Sequence, residues 1–229
     1  MSRARDDGNN WQTASAYERP GGGCLSGFML PPLTVLLIGG LFAILAFKSP
    51  TETIATRRAA ITNSAQLSPI FTPEVQFWRD SIARWATATN IVPNLVATIM
   101  QIESCGNPAA TSSAGAMGLF QVMPYHFYAG DDPYAPDTNA ARGLTYLNRS
   151  LSAAGNDVRL ALAGYNGGIG VISRGEFSWA AETARYVKYG FPIYEDAQAG
   201  ISTSGTLNEW YGRYGAGMCR QAAQRLGLP

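Results

Sequence analysis

The hydrophobic and polar positions divide the chain into two unlike parts. From Gly21 to Phe47 no residue is charged, and within that window Phe28 to Phe47 is an apolar run of 20 residues. A helix needs about 20 such residues to cross the hydrocarbon core of a bilayer. Pro31 and Pro32 fall in its first turns, where missing amide donors cost least. The run predicts a single transmembrane helix over residues 28–47. A buried core helix and a cleaved signal peptide are the alternatives. The first would be unusual for a surface apolar all round. The second needs a basic start close to the run and a small-residue cleavage site after it, and Lys48-Ser49-Pro50 offers none. Cys24 precedes the run, so it is not a lipoprotein cysteine, which would follow one. Residues 1–27 are polar, Gly-rich and mixed in charge and predict a disordered tail. Residues 48–71, rich in Ser, Thr, Ala and Pro, predict a linker.

From residue 72 onward the apolar positions take up a helical period. Thr72-Pro73-Glu74 reads as an N-cap, a first-turn proline and a first-turn acid, with Phe77, Trp78, Ile82 and Trp85 following at helical spacing. A second helix runs from near Pro93 to Glu103, apolar at Leu95, Val96, Ile99, Met100 and Ile102. It ends before Gly106-Asn107-Pro108, because proline lacks the amide donor and restricts the residue before it. Further helices are predicted over residues 137–154, 157–165, 178–189 and 206–226, the last opened by the capping-box pattern Thr206-Leu207-Asn208-Glu209. No run alternates persuasively as a strand. Residues 72–229 therefore predict a mainly α-helical domain with glycine-rich loops.

Composition narrows the function. The net charge is +1 and 14% of residues are charged, which argues against a nucleic-acid partner, since phosphate binding needs clustered Lys and Arg. Arg3, Arg5 and Arg19 precede the apolar run and Lys48, Arg57 and Arg58 follow it, so the positive-inside rule is tied. Within residues 98–128 the sole acidic residue is Glu103, placed at the end of an apolar helix beside a glycine-rich loop. Partial burial there would raise its pKa, as a general acid near neutral pH requires. The alternative is an exposed helix-end carboxylate. Asp131 and Asp132 lie in Gly130-Asp131-Asp132-Pro133, which reads equally well as a surface turn. His126 is the only histidine, set between Tyr125 and Phe127, and suits a structural or groove-lining place. With one histidine, three dispersed cysteines and no Cys-x-x-Cys, no metal and no cofactor are expected.

Glu103-Ser104, Asn107-Pro108, Ser112, Gly115 to Pro124 and Ala163-Gly164-Tyr165-Asn166-Gly167-Gly168, in that order, resemble the soluble lytic transglycosylase family. The likeness spans about residues 72–190 and implies a lysozyme-like domain related to goose-type lysozymes. It implies that Glu103 is the only catalytic carboxylate, with Ser104, Ser112, Gln121, Met123, Tyr165, Asn166, Glu182 and Tyr186 along the substrate groove. Plainer roles stand beside these: a turn hydroxyl for Ser112, core filler for Met123 and ordinary helix solvation for Glu182. Gly164 departs from the alanine of the family pattern. The implied partner is the glycan strand of peptidoglycan, and no protein partner is legible. A wall-cutting domain is useful only outside the cell, so the resemblance places the tail in the cytoplasm and the domain beyond a single-pass anchor in the cell membrane. Cys24 then lies across the membrane from Cys105 and Cys219, and two cysteines left together outside suggest a disulfide, with two unrelated thiols as the alternative. Two other functions stay open: a hydrolytic lysozyme on the same fold, and a catalytically idle peptidoglycan-binding scaffold in an envelope machine. Glu103, Gln121, Tyr165 and Asn166 argue against the idle form, because a pure binder does not need the acid.

Overall fold

A computed structural model describes residues 67–229. The tail, the apolar run and nearly all of the linker expected ahead of them lie outside the described residues. Among the described residues no helix is long and apolar enough to cross a membrane. In chain order the α-helices are α1 (Pro73–Gln76), α2 (Arg79–Thr89), α3 (Pro93–Glu103), α4 (Pro136–Ala153), α5 (Val158–Gly167), α6 (Ala181–Gln198), α7 (Gly205–Trp210) and α8 (Ala216–Leu226). A π turn at Tyr211–Gly215 joins α7 to α8 without a break. The described residues contain no strand, only isolated bridges from Met117 to Thr111 and to Val122.

Helix α3 is the centre. Its residues 94–101 are all buried, including Leu95, Val96, Ile99 and Met100. The apolar side chains forbid a solvated face, so α2, α6 and the bridge region close round it. Each large aliphatic contributes about 1.5–3 kcal/mol by leaving water. Two polar residues share this burial and are satisfied by distant backbone. Asn94 accepts from the Ser68 amide at 2.8 Å and donates to the Ala197 carbonyl at 3.2 Å and the Gln198 side chain at 2.9 Å. Gln101 accepts from the Thr72 amide at 3.1 Å.

These bonds correct the expected linker boundary. Leu67, Ser68, Ile70 and Phe71 are buried against the core, so the folded unit includes residues 67–71. The first expected helix is divided at Phe77-Trp78, where the Trp78 indole donates to the Gly106 carbonyl at 2.9 Å and ties α1 to the end of α3. Helix α6 was expected to stop near Tyr189 but continues through Pro192 to Gln198. Burial of Tyr189, Ile193 and Ala197 on one face outweighs the lost amide bond. The expected cap at Thr206 also moves. Ser204 is the N-cap, its hydroxyl accepting from the Leu207 amide at 3.0 Å and donating to Asp196 at 2.6 Å.

Cys105 and Cys219 form a disulfide with their Cα atoms 5.0 Å apart, across 114 residues of chain. It fastens α8 to the second residue past the end of α3. Closing a loop of that length stabilises by roughly 4–5 kcal/mol through the unfolded chain. Replacing both cysteines by serine should lower the denaturant-unfolding free energy by up to that amount, and reductant should do the same to the unaltered protein. Coincident unfolding curves with and without reductant would show that the bridge does not hold the fold.

Candidate active site

Helix α3 must stop at Glu103 for the site to exist. Ser104 leaves the helical region at φ −142°, and Cys105 and Gly106 then take φ of +52° and +81°. Gly106 has no substitute, since a Cβ there would lie 2.7 Å from the Glu74 carbonyl oxygen. Cys105 holds an uncommon left-handed backbone for a side-chain-bearing residue, in a position fastened by its bridge. Ser104 was expected along the groove and is corrected. It is wholly buried, donates to the Leu119 carbonyl at 2.7 Å and accepts from the Gly106 amide at 3.1 Å. Its hydroxyl clips the helix end to the next loop and leaves nothing for a sugar.

Glu103 itself is half-buried. Its pKa is pushed up to about 8, first by loss of water and further by the charge of Glu182, while the Tyr186 hydroxyl pulls it down. That hydroxyl nevertheless makes no hydrogen bond of ordinary geometry. It is the one fully buried side-chain polar atom without a partner among the described residues. Such an orphan costs free energy unless something else meets it. Tyr165 stands on the other side, its hydroxyl donating to the Phe120 carbonyl at 2.8 Å. Burial and then the Glu103 charge raise the pKa of both phenols well above the ordinary value, so both are donors at neutral pH.

Two hollows meet at Asn166, which lines both. One, of about 190 Å³, is walled by Ile102, Glu182, Tyr186 and residues of the C-terminal helices. The other, of about 250 Å³, is walled by Gln121, Met123, His126, Tyr146 and Tyr165. The structure thus brings Gln121, Met123, Tyr165 and Asn166 together, and Glu182 and Tyr186 with Asn166. Thr183 donates to the Asn166 side-chain oxygen at 2.9 Å and fixes that amide between the hollows. Gln121 donates to the Gly118 and Ala110 carbonyls at 2.9 and 3.2 Å, which leaves its oxygen as an acceptor. Ser112 lines neither hollow. Its hydroxyl accepts from the Ala116 amide at 3.0 Å, a turn role. Asp131 forms a two-pronged pair with Arg142 at 2.7 and 2.9 Å, and Asp132 accepts from the Tyr134 amide at 3.0 Å. Both aspartates shape their loop. His126 packs between Tyr125 and Tyr146, and burial, followed by the charge of Arg149, lowers its pKa.

The family model of the transglycosylase SLT domain matches residues 80–184, which include Glu103, the Gly115–Pro124 loop and Tyr165-Asn166. That segment, a little under half of the chain, is similar to the transglycosylase SLT domain. The chain is 37% identical to a transglycosylase of Enterobacteria phage PRD1 over 48% of this chain and 40% of that protein. It is 31% identical to an endo-type membrane-bound lytic murein transglycosylase A of Klebsiella pneumoniae, over 35% of this chain and 49% of that one. The match therefore spans less than half the length of either relative. A 70 kDa soluble lytic transglycosylase from Escherichia coli superimposes with a TM-score of 0.46 and 25% identity, over 57% of this chain and 26% of that one.

Within the matched segment, one organising residue escaped the sequence reading. Asn139 of α4 is buried, accepts from the Phe120 amide and donates to the Met117 and Pro133 carbonyls, each at 2.8 Å. Gly118 makes room for it, since a Cβ there would lie 2.3 Å from the Asn139 amide nitrogen. The signal was present as a polar residue next to Ala140 on the face that also carries Leu144 and Leu147, where a plain amphipathic helix would be apolar. Tyr146, Arg185, Trp210, Tyr214 and Met218 also line the hollows and had no signal beyond residue type.

The raised pKa of Glu103 is also a statement about stability. The unfolded chain loses this proton near the ordinary value of 4.5, the folded one near 8. The folded state binds the extra proton between those values, so stability falls as pH rises through that window. Glu103→Gln removes the titration. The variant should gain thermal stability over the unaltered protein from about pH 4.5 to 8, with the difference level on either side. A difference independent of pH would mean that Glu103 is not desolvated in the fold.

Proposed function

We propose that this protein is a membrane-anchored lytic transglycosylase, held by residues 28–47 in the cell membrane with its catalytic domain outside. Its substrate is the glycan strand of peptidoglycan, cut between N-acetylmuramic acid and N-acetylglucosamine. One observation carries the reading: a carboxyl with a pKa raised to about 8 interacts with Tyr186 and Glu182 of one hollow and with Tyr165 of the other, in a segment similar to the SLT domain. Glu103, protonated at neutral pH, gives its proton to the glycosidic oxygen as the bond to the muramyl C1 breaks. The acetamido oxygen of the same sugar stabilises C1, a form of substrate assistance. Glu103, now charged, takes the proton of the C6 hydroxyl while that oxygen closes on C1. No water enters, and the product is a 1,6-anhydro ring. The orphaned Tyr186 hydroxyl suits the charged stage, when a donor to the carboxylate is needed.

Glu103→Gln should abolish cleavage, with a loss beyond the ~10²–10⁴-fold of a single proton transfer, because one group serves both steps. Asp131→Asn should leave substantial activity, since its carboxylate is engaged by Arg142. Activity of the unaltered protein should fall as pH rises through about 8, where the acid form of Glu103 is lost. Mass spectrometry of the released fragments should show 1,6-anhydromuramyl ends, lighter by one water than reducing ends. Glu182, whose charge reaches Glu103, supports a second reading, in which it activates water and the enzyme is a hydrolytic lysozyme. Reducing ends as the main product, lost in Glu182→Gln, would establish that second reading.

The membrane anchor has a separate test. Protease added outside intact cells should digest the domain and leave a membrane-embedded fragment containing residues 28–47. Complete protection of the domain would overturn the topology.

A further inference from the structure

Helix α8 closes one side of the site with little of its own to hold it there. Of its 11 residues only Cys219 and Ala222 are buried, while Arg220, Gln221, Gln224 and Arg225 face water. It packs chiefly on α1, the short helix near the start of the fold. Two small buried side chains are too few to fasten a helix this short. The disulfide supplies the rest. Cys105 and Cys219 are wholly buried, and the Gln101 amide nitrogen lies 3.1 and 3.8 Å from their sulfurs. The Thr72 hydroxyl lies 3.4 Å from that of Cys105.

The chain before α8 is built to bend. The π turn Tyr211–Gly215 leads into it, and Gly212, Gly215 and Gly217 fall in or beside that turn. Helices bend at π turns and at glycines, where the backbone is most free. On the near side of this hinge α7 is docked by its own buried Leu207 and Trp210 and by its Ser204 cap. The buried core draws on α8 only through Cys219 and Ala222, so the enclosure of α3 does not depend on it.

Both ends of the bridge reach the site. Cys105 is the second residue past Glu103, and its left-handed backbone, at φ +52°, is uncommon for a residue with a side chain unless its surroundings impose it. Met218, beside Cys219, and Tyr214, at the hinge, share a hollow with Ile102 and Tyr186. Ile102 precedes Glu103 in the chain, and Tyr186 acts on it. Release of α8 would remove two walls of that hollow and one hold on the turn that follows the acid.

Resting on the function proposed above, we infer that the Cys105–Cys219 pair is a redox gate on catalysis: the dithiol chain folds with α8 free and the site incomplete, and oxidation latches α8 and completes it. In that step the two thiols give up two protons and two electrons to a disulfide, that of oxidised glutathione or of a donor protein. The donor's S–S bond breaks to two thiols as the new bond forms. The enzyme therefore becomes active on reaching an oxidising compartment. Once closed, the bridge is shielded from thiols until α8 opens, so the gate stays set.

The test uses the full-length chain in a Cys24→Ser background, equilibrated at fixed ratios of reduced to oxidised glutathione. Cleavage of peptidoglycan and the far-ultraviolet helical signal are followed together. Activity should fall at least about tenfold from the most oxidising to the most reducing buffer, as a competent state populated one part in ten implies, while the helical signal loses no more than α8. The fall should follow the square of the reduced glutathione concentration over the oxidised, as one bridge made from two thiols requires. A chain carrying Cys105→Ala and Cys219→Ala should stay at the low level in every buffer. Equal activity of the oxidised and reduced chains, or full activity of the double variant, would overturn the gate. So would loss of the whole helical signal together with activity, which would make the bridge a staple of the entire fold. A chain that releases no anhydro product when fully oxidised fails the proposed function instead. The gate is then read from binding of soluble glycan fragments to the Glu103→Gln chain, tighter in the oxidised form. Equal binding in both forms, or none, would overturn it.

Discussion

Keeping one carboxyl out of water at the end of a buried helix is the constraint on which the rest of the structure depends. Glu103 keeps its proton near neutral pH only because α3 carries it into the protein and then stops. Carrying it there takes a helix with no wet face, so α2, α6 and the Leu67–Phe71 segment must all close on α3. Stopping there takes two left-handed residues in succession, a glycine for which no side chain is tolerated and a half-cystine. The Ser104 hydroxyl and the Trp78 indole hold the ensuing turn from two sides. A carboxyl placed this way costs stability above its ordinary pKa, and the core, the clip and the bridge offset that cost.

The groove is a division of labour between rigid helices and loops held by side-chain amides. Asn139 fixes three backbone groups of the Met117–Pro133 region from the inside of α4, and Gln121 fixes two more from within the loop. Loops that carry binding groups are usually free to move. Here they are fastened so that Gln121, Tyr165 and Asn166 keep their places relative to the acid. The two hollows then differ in what fastens them. The one beside Gln121 is held by hydrogen bonds, the one beside Arg185 by a π turn and a disulfide.

Much of this was legible in the order of residues. Helix α3 lies over the span predicted for it, because proline opens it, apolar residues fill it and Gly106-Asn107-Pro108 closes it, all local effects. The other helices appear with shifted ends. The errors share a cause. Leu67–Phe71 was read as part of a linker because residues 48–71 as a whole are rich in Ser, Thr, Ala and Pro, yet the Ser68 and Thr72 amides find partners in Asn94 and Gln101, 26 and 29 residues away. The helix predicted over residues 178–189 runs on to Gln198, because the buried face of α6 was invisible from its own sequence. Ser104 was placed along the groove by the family resemblance, although its partner is the Leu119 carbonyl, 15 residues on.

By itself, then, the chain's sequence determined the helices, the lone carboxylate at the end of α3, the motifs that carry the resemblance and the two cysteines left to pair. Those follow from short-range periodicity, the special backbones of proline and glycine, and residue type. Only the tertiary structure decided which hydroxyls face the groove and which are consumed inside, how far the carboxyl is desolvated, and that Trp210, Tyr214 and Met218 share a hollow with Ile102, Glu182 and Tyr186. Burial and hydrogen-bond satisfaction are set by residues distant in the chain, brought together only when α3 is enclosed and α8 is fastened to its end.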